Sequence, residues 1–102
     1  MTVFYFDSEM MRRWLIERVQ KVAVLRGDFV LKSGQRSSTY IDLRRLTLCG
    51  DNLWVVSNLL GQLIEKADST IDAVAGPSIG ADPLVAGVIM GPFGPSRGFL
   101  VR

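Results

Sequence analysis

Histidine is absent from this 102-residue chain, and cysteine occurs once, at Cys49. The lack of histidine excludes histidine-activated nucleophiles and mixed Cys/His zinc sites, and it removes the commonest general base. A single cysteine excludes any internal disulfide. The chemistry of the chain must therefore rest on lysine, arginine, carboxylates, hydroxyls and backbone groups.

Long hydrophobic runs are also missing. The first residues show no secretory signal, and the most apolar later stretch, residues 84–90, is far shorter than the ~20 residues of a membrane span. Aromatic residues do not interleave with basic ones, and no nucleic-acid-binding motif is present. We expect a cytoplasmic, reducing location and no membrane or nucleic-acid partner.

Charge is divided unevenly along the chain. Residues 1–48 hold nine basic and five acidic side chains, whereas residues 49–102 hold three and five. A basic half could meet an anionic substrate, a nucleic acid or an acidic protein surface. A solvated helix face accounts for part of the same excess, through Arg12, Arg13, Arg18 and Lys21.

The first half predicts a helix followed by a β-hairpin. Apolar residues recur at helical spacing over residues 8–26, with Ser8 as a plausible N-cap and Gly27 as the stop. Two short β-type runs, Phe29–Leu31 and Thr39–Leu43, flank a polar turn that contains a glycine.

The second half predicts a helix and then a βαβ unit. Asp51 can cap a helix with one apolar face, formed by Leu53, Val56, Leu60, Leu63 and Ile64. A strand over residues 71–75, a helix from Asp82-Pro83 to about Met90, and a strand over 98–102 would then form a parallel sheet. Two strands are few for an independent sheet, which suggests an incomplete α/β domain.

The predicted turn at residues 76–81 joins a strand to a helix N-terminus. Successive amides there, with the positive helix end, form a natural anion cradle. Gly76 and Gly80 would let the backbone approach a phosphate closely, and Ser78 could add a hydroxyl donor. An ordinary strand–helix turn explains the same residues. Asp82 would repel a phosphate, so we assign it to capping the helix.

Three hairpin residues have both a functional and a structural interpretation. Lys32 could pair with a carboxylate or phosphate, or it could be an exposed turn lysine. Tyr40 and Ile41 could offer an apolar surface to a planar ring, or they could be ordinary strand residues. Asp42, on the same strand face as Arg44, can neutralise it, which favours a structural or interface role for the pair.

Two separated motifs resemble orotate phosphoribosyltransferases. Gly27-Asp-Phe-Val-Leu-Lys-Ser-Gly34, followed by Tyr40-Ile-Asp-Leu-Arg44, is similar to the N-terminal signature of that family. Gly80-Ala-Asp-Pro-Leu84 and Phe99-Leu-Val-Arg102 are similar to its actinobacterial members. The resemblance implies an incomplete type I phosphoribosyltransferase fold. Residues 1–48 would form the hood on the orotate side, and residues 49–102 the first part of a Rossmann-like parallel core.

The resemblance also implies roles for individual residues. Lys32 would contact phosphoribosyl pyrophosphate near the orotate site, and Tyr40 and Ile41 would lie where the family holds orotate. Ser78, Ile79 and Gly80 would lie in the pyrophosphate loop. Arg102 would be the first basic residue of a segment that reaches the phosphates across a homodimer interface. Mg²⁺ would be bound through the substrate.

The family's reaction transfers a 5-phosphoribosyl group from phosphoribosyl pyrophosphate to orotate, giving orotidine 5′-monophosphate for UMP biosynthesis. Its mobile catalytic loop and ribose-binding acidic residues have no counterpart in residues 1–102, so we expect these residues alone to be inactive. Two alternatives remain: a small basic interaction module, and a truncated, inactive homologue.

Overall fold

The computed structural model describes residues 7–102. In this part of the chain, helices and strands alternate in the order helix, hairpin, two helices, and a strand–helix–strand unit. The elements are α1 (Ser8–Arg18), a π-helical turn (Val19–Ala23), β1 (Val24–Val30), β2 (Arg36–Ile41), α2 (Arg44–Thr47), α3 (Gly50–Ala67), β3 (Val74–Pro77), α4 (Asp82–Met90) and β4 (Gly98–Val101).

Helix α1 begins and ends differently from the prediction. Its N-cap is Asp7, whose carboxylate accepts hydrogen bonds from the amides of Glu9 and Met10 at 3.1 and 3.2 Å, so Ser8 is the first helical residue. The predicted helix to residue 26 is wrong, because a π-helical turn leads directly into β1 at Val24. Cross-strand pairing of Val24 with Ile41 overrides the local helical pattern.

The hairpin is longer than the two predicted runs. Strands β1 and β2 pair antiparallel, with a register irregularity between Arg26 and Phe29. Gly27 therefore lies within β1 and does not end a helix. Gly34 adopts φ +86° in the connecting turn, a conformation that side-chain-bearing residues rarely adopt. The turn is closed by the Leu31 amide, which donates to the carbonyl of Gln35 at 2.8 Å.

Helix α3 packs between α1 and α4. Along α1, the Ser8 hydroxyl donates to the Gln62 side chain at one end, and Arg18 Nε donates to Asn52 Oδ1 at 3.2 Å at the other. The two helices are therefore antiparallel. Between these contacts the core is formed by the fully buried Met11 and Val55. Partly buried residues packed against them are Trp14, Leu15, Trp54 and Leu59.

The predicted apolar face of α3 is only partly buried. Leu63 is 64% exposed, and the other four residues of that face are half-buried. The buried residues of α3 are Asn52, Val55, Ser57, Asn58 and Gly61. A helix with neighbours on two sides needs small residues where the backbones approach closely. A Cβ built on Gly87 of α4 would lie 2.0 Å from Ser57 Oγ, and one built on Gly61 would lie 2.6 Å from the carbonyl oxygen of Phe93.

The predicted βαβ unit with a parallel sheet is confirmed. Strand β3 pairs parallel with β4, with Val74 opposite Gly98 and Pro77 opposite Val101. Strand β3 starts later than predicted, and Asp82 is the first residue of α4 where an N-cap was expected. Proline follows it, as the helix-start signature required. Among the described helices, none has the length and apolarity that a membrane crossing needs.

Candidate functional site

The turn from β3 into α4 has amides without partners. The Ser78 amide donates to the Val101 carbonyl at 2.8 Å, and the Ala81 amide donates to the Pro77 carbonyl at 3.0 Å. The Asp82 amide donates to the Ile79 carbonyl at 3.1 Å. Within residues 7–102, the amides of Ile79 and Gly80 donate no hydrogen bond.

These two free amides are open to solvent at the positive end of a helix. Ile79 is 75% exposed, and Gly80 is also exposed. The nine-residue helix α4 starts two residues after Gly80. Adjacent free amides and a helix N-terminus both favour a negatively charged ligand. The turn can therefore hold an anion such as a phosphate.

Gly76, within β3, and Gly80, in the turn, differ in whether the fold requires a glycine. A Cβ on Gly76 would lie 2.6 Å from Ala81 Cβ and 3.3 Å from Val85 Cγ2, so packing requires glycine there. A Cβ on Gly80 would meet no atom within 4 Å. The fold does not need glycine at position 80, and its absent side chain leaves the approach to the amides open.

Ser78 and Asp82 are joined within the turn. The Ser78 hydroxyl donates to Asp82 Oδ2 at 3.3 Å, and Asp82 Oδ1 is buried without a partner among the described residues. The proton of Ser78 is therefore directed at the carboxylate, although the sequence suggested a donor to a ligand. Sequence analysis missed this contact; its signal is the four-residue spacing from a hydroxyl to an acid at the start of a helix.

Arg102 lies at the same edge of the sheet as the turn. Both β3 and β4 end there, with Pro77 opposite Val101, and the Ser78 amide bonds to the carbonyl of Val101. Arg102 follows Val101 directly and is exposed. In the described part of the chain its guanidinium forms no ion pair. The structure thus brings together Ser78, Ile79, Gly80 and the backbone of Arg102.

Lys32 lies in the turn of the β1–β2 hairpin. It is exposed, and its ammonium has no hydrogen bond or ion pair within the described residues. Its neighbours fix the backbone, since Gly34 donates to the Leu31 carbonyl at 2.9 Å and the Gln35 amide donates to Ser33 Oγ at 3.4 Å. The turn presents a free cation from an ordered backbone.

Tyr40 and Ile41 occupy the last two positions of β2. Tyr40 is 41% exposed and its ring packs on Phe29, with the ring centroids 5.6 Å apart. Ile41 is 57% exposed and points to the opposite side of the strand. The pair offers apolar surface on both faces of the hairpin, and Phe29 supports one of them.

Asp42 and Arg44 form a local ion pair. Asp42 Oδ1 accepts hydrogen bonds from the Arg44 amide at 3.2 Å and from Arg44 Nε at 3.4 Å. The predicted neutralisation is therefore present, but Asp42 follows β2 and Arg44 begins α2, so the two do not share a strand as expected. This geometry supports a structural role for the pair.

The predicted site residues thus fall into two groups. Lys32, Tyr40 and Ile41 lie on the hairpin, and Ser78, Ile79, Gly80 and Arg102 lie at the edge of the parallel sheet. No hydrogen bond or ion pair of the described residues joins the groups. Residues 7–102 also contain no cluster of three or more cysteine or acidic side chains that could hold a metal ion.

Comparison with known proteins points to one family. The chain is 34% identical to the orotate phosphoribosyltransferase of Tropheryma whipplei over 86% of its length and 41% of the relative's. It is 37% identical to that of Corynebacterium glutamicum, over 89% and 48%. No model of a protein family matches the chain.

Solved structures of similar fold are also orotate phosphoribosyltransferases. The Mycobacterium tuberculosis orotate phosphoribosyltransferase with inorganic phosphate matches at TM-score 0.77 and 33% identity, over 91% of this chain and 54% of that one. Its complex with 5-phospho-α-D-ribosyl 1-diphosphate matches at 0.73 and 34%. The chain spans about half the length of the relatives it matches. This chain therefore belongs to the orotate phosphoribosyltransferase family, as a partial member with an incomplete type I phosphoribosyltransferase fold.

Proposed function

We propose that this chain is part of an orotate phosphoribosyltransferase, an enzyme that forms orotidine 5′-monophosphate and pyrophosphate from orotate and phosphoribosyl pyrophosphate. The observation that carries the proposal is the match to this family over most of the chain by both sequence and fold. The alternative of a small basic interaction module has no comparable support. The division at residues 48 and 49 into a hood and a core remains a prediction.

The β3–α4 turn is proposed to bind the pyrophosphate of the substrate. Its free Ile79 and Gly80 amides and the N-terminus of α4 supply positive potential without a side-chain charge. Donors fixed before the reaction stabilise negative charge that grows on a leaving pyrophosphate. Arg102, which begins at the same edge of the sheet, would add a mobile guanidinium.

We propose that the hairpin binds orotate and the part of phosphoribosyl pyrophosphate that lies next to it. Lys32 has no partner within the described residues, so its ammonium can pair with a carboxylate or phosphate without breaking another contact. Tyr40 and Ile41 would pack against the orotate ring. We propose that the hairpin and the β3–α4 turn form one site in a homodimer, in which each copy completes the site of the other.

Magnesium is proposed to arrive with the substrate. Residues 7–102 contain no group of three or more cysteine or acidic side chains that could hold a metal ion, so we assign the metal's ligands to the substrate. Phosphate oxygens are the ligands that Mg²⁺ prefers alongside water. A cytoplasmic location is likewise a proposal, consistent with the exposed free thiol of Cys49.

Residues 1–102 alone are proposed to bind substrate without useful turnover. The family's mobile catalytic loop has no counterpart in residues 1–102, and loss of a positioned proton donor costs about 10²–10⁴-fold in rate. The test compares this chain with its full-length relative for formation of orotidine 5′-monophosphate. If residues 1–102 turned over substrate at the rate of the full-length relative, the proposal that they are inactive alone would be wrong.

Substrate binding is tested separately, by calorimetric titration with phosphoribosyl pyrophosphate. Lys32→Gln should weaken binding by about 10- to 100-fold, the range of one lost charge-assisted contact. Lys66→Gln is the matched control, since it removes another exposed lysine, in the last turn of α3. Equal effects of the two substitutions, or no binding by the unaltered chain, would contradict the proposed role of Lys32 in substrate binding.

A further inference from the structure

A cleft with a volume of about 230 Å³ lies between the first half of α3 and the C-terminal end of α4. Helix α3 lines it with residues three or four positions apart, which share one face of a helix. These residues are Gly50, Leu53, Trp54, Ser57 and Asn58. The β3–α4 turn lies at the other end of the nine-residue helix α4, about 13 Å away. The cleft is therefore separate from the site residues described above.

Two buried polar atoms at this cleft have no partner among the described residues. Ser57 and Asn58 are 3% and 2% exposed. The side-chain amide of Asn58 donates to the Trp54 carbonyl at 2.8 Å, which leaves Asn58 Oδ1 unpaired. Ser57 Oγ is also unpaired. Because an unpaired buried polar atom costs stability, both atoms favour a ligand that brings an N–H donor.

The two helix ends add backbone groups of both kinds. Gly91 is the C-cap of α4, where the last carbonyls have no partner inside the helix. Gly50 begins α3, and its amide donates no hydrogen bond within residues 7–102. Both residues line the cleft. A ligand that pairs with both ends must donate from one atom and accept at another, as a carboxamide does.

The rest of the lining is apolar, and none of the side chains that line the cleft is charged. Helix α3 contributes Leu53 and Trp54, and the end of α4 contributes Met90 and Pro92. A charged ligand would lose hydration here without gaining a counter-charge. An apolar cavity of ~150 Å³ can hold a benzene ring, so this cleft has room for a ring and one amide group.

We propose that this cleft, here called the α3–α4 cleft, binds a small neutral molecule with a planar ring and a primary carboxamide. The ring contacts Trp54 and Met90, the carbonyl accepts from the Gly50 amide, and the N–H donates to the Ser57 hydroxyl. That hydroxyl lies against α4, since a Cβ built on Gly87 would stand 2.0 Å from Ser57 Oγ. Rotation about the Cα–Cβ bond turns it towards the ligand. The proposal does not depend on the proposed function.

The experiment uses benzamide as the probe and acetophenone as its matched control. Acetophenone has the same shape and the same carbonyl, but a methyl group replaces the amide nitrogen. Each is titrated into the ¹⁵N-labelled chain, and binding is followed by the NMR shifts of the Ser57, Asn58 and Gly87 amides. Benzamide should bind about 2- to 10-fold more tightly than acetophenone, the range of one neutral hydrogen bond.

Two substitutions test the contacts separately. Ser57→Ala should lower the affinity for benzamide to that for acetophenone and leave acetophenone binding unchanged. Ser69→Ala, which alters an exposed serine beyond the end of α3, is the control and should keep the difference. Met90→Ala should weaken both probes alike. Met90 is 87% exposed, so this variant keeps the fold and tests the cleft even if Ser57→Ala is unstable.

Three outcomes overturn the proposal. The first is the absence of benzamide shifts at the cleft up to the solubility limit of the probe. The second is equal affinity of the unaltered chain for the two probes, which would show that the N–H makes no contact. The third is displacement of benzamide by orotate, which would place the probe at the hairpin. Benzamide binding that persists with orotate and phosphoribosyl pyrophosphate present supports a separate site.

Discussion

The amide of Ser78 donates a hydrogen bond to the carbonyl of Val101 at 2.8 Å. This bond extends the parallel ladder one residue beyond the last strand pair, Pro77 and Val101. The first residue of the β3–α4 turn is therefore tied to the end of β4. As a result, the free amides of Ile79 and Gly80 and the backbone of Arg102 keep a fixed relation to each other.

Asp82 should weaken anion binding at the turn. Its carboxylate accepts the Ser78 hydroxyl at the start of α4 and opposes the positive helix end. Asp82→Asn should strengthen binding of inorganic pyrophosphate about two- to fivefold at low salt. This range corresponds to the ~0.3–1 kcal/mol that one charge near a helix terminus contributes. Titration at low and high ionic strength measures the effect, which salt should reduce. Asp72→Asn, before β3, is the control; an equal gain there would indicate a general charge effect.

Gly76 and Gly80 should differ sharply on substitution. Gly76→Ala would bring a methyl group within 2.6 Å of Ala81 Cβ and should lower the free energy of unfolding by about 1–3 kcal/mol. Gly80→Ala meets no neighbour and should change it by less than about 0.5 kcal/mol, while lowering phosphate affinity. Urea unfolding and phosphate titration separate the two effects. A stable Gly76→Ala variant would contradict the packing described for the turn.

Stability should fall in acid partly through Asp51. The thiol of Cys49 donates to Asp51 Oδ1 at 2.8 Å, and with the Asn52 amide it lowers the pKa of this carboxyl. A carboxyl with a lower pKa in the folded chain stabilises the fold fully above its unfolded pKa of about 3.9. This stabilisation is lost as pH falls through the folded pKa.

The measurement is urea unfolding at neutral pH and near pH 3. Asp51→Asn should lower stability at neutral pH and show a smaller loss on acidification than the unaltered chain. Cys49→Ala, which removes the leading donor, should change the acid response in the same direction by a smaller amount. An unchanged acid response in both variants would show that the contact does not contribute.

Ser57 should be replaceable by alanine without loss. Its hydroxyl is buried and has no hydrogen-bond partner among the described residues. Removing an unpaired buried polar group avoids a desolvation penalty of about 1–3 kcal/mol, so Ser57→Ala should leave stability unchanged or raise it. Gly87→Ala, on the opposing helix, should destabilise, because its Cβ would meet Ser57 Oγ at 2.0 Å. Thermal unfolding of both variants gives the comparison, and a marked loss for Ser57→Ala would reveal a missing partner.

The parallel unit and the hairpin were predictable because their signals are local. Asp82-Pro83 marks a helix start, and the glycine- and proline-rich residues 91–95 mark the break before β4. The free amides also follow from a short strand–turn–helix sequence. Lys32 was correctly expected in the turn between strands, although the strand limits were too short.

The errors arose where distant residues decide the structure. Residues 24–26 continue a helical pattern but pair with β2, which begins ten residues later. The buried face of α3 contains Asn52, Ser57 and Gly61 because α1 and α4 approach it from two sides, and hydrophobic spacing carries no such information. The Ser78–Asp82 contact likewise depends on how the turn folds back on its helix.

The close approach of Gly61 to the loop before β4 restricts how this chain can evolve. Gly94, at φ +78°, lies so near that a Cβ on it would stand 3.2 Å from the Cα of Gly61, and its amide donates to Glu65 Oε2 at 3.2 Å. A larger side chain at either position would displace the loop, and with it the strand that leads to Arg102. Replacing either glycine alone would therefore give a protein with a displaced loop. Descendants of this sequence should retain both glycines, whereas residues on the outward surface of α3 should vary.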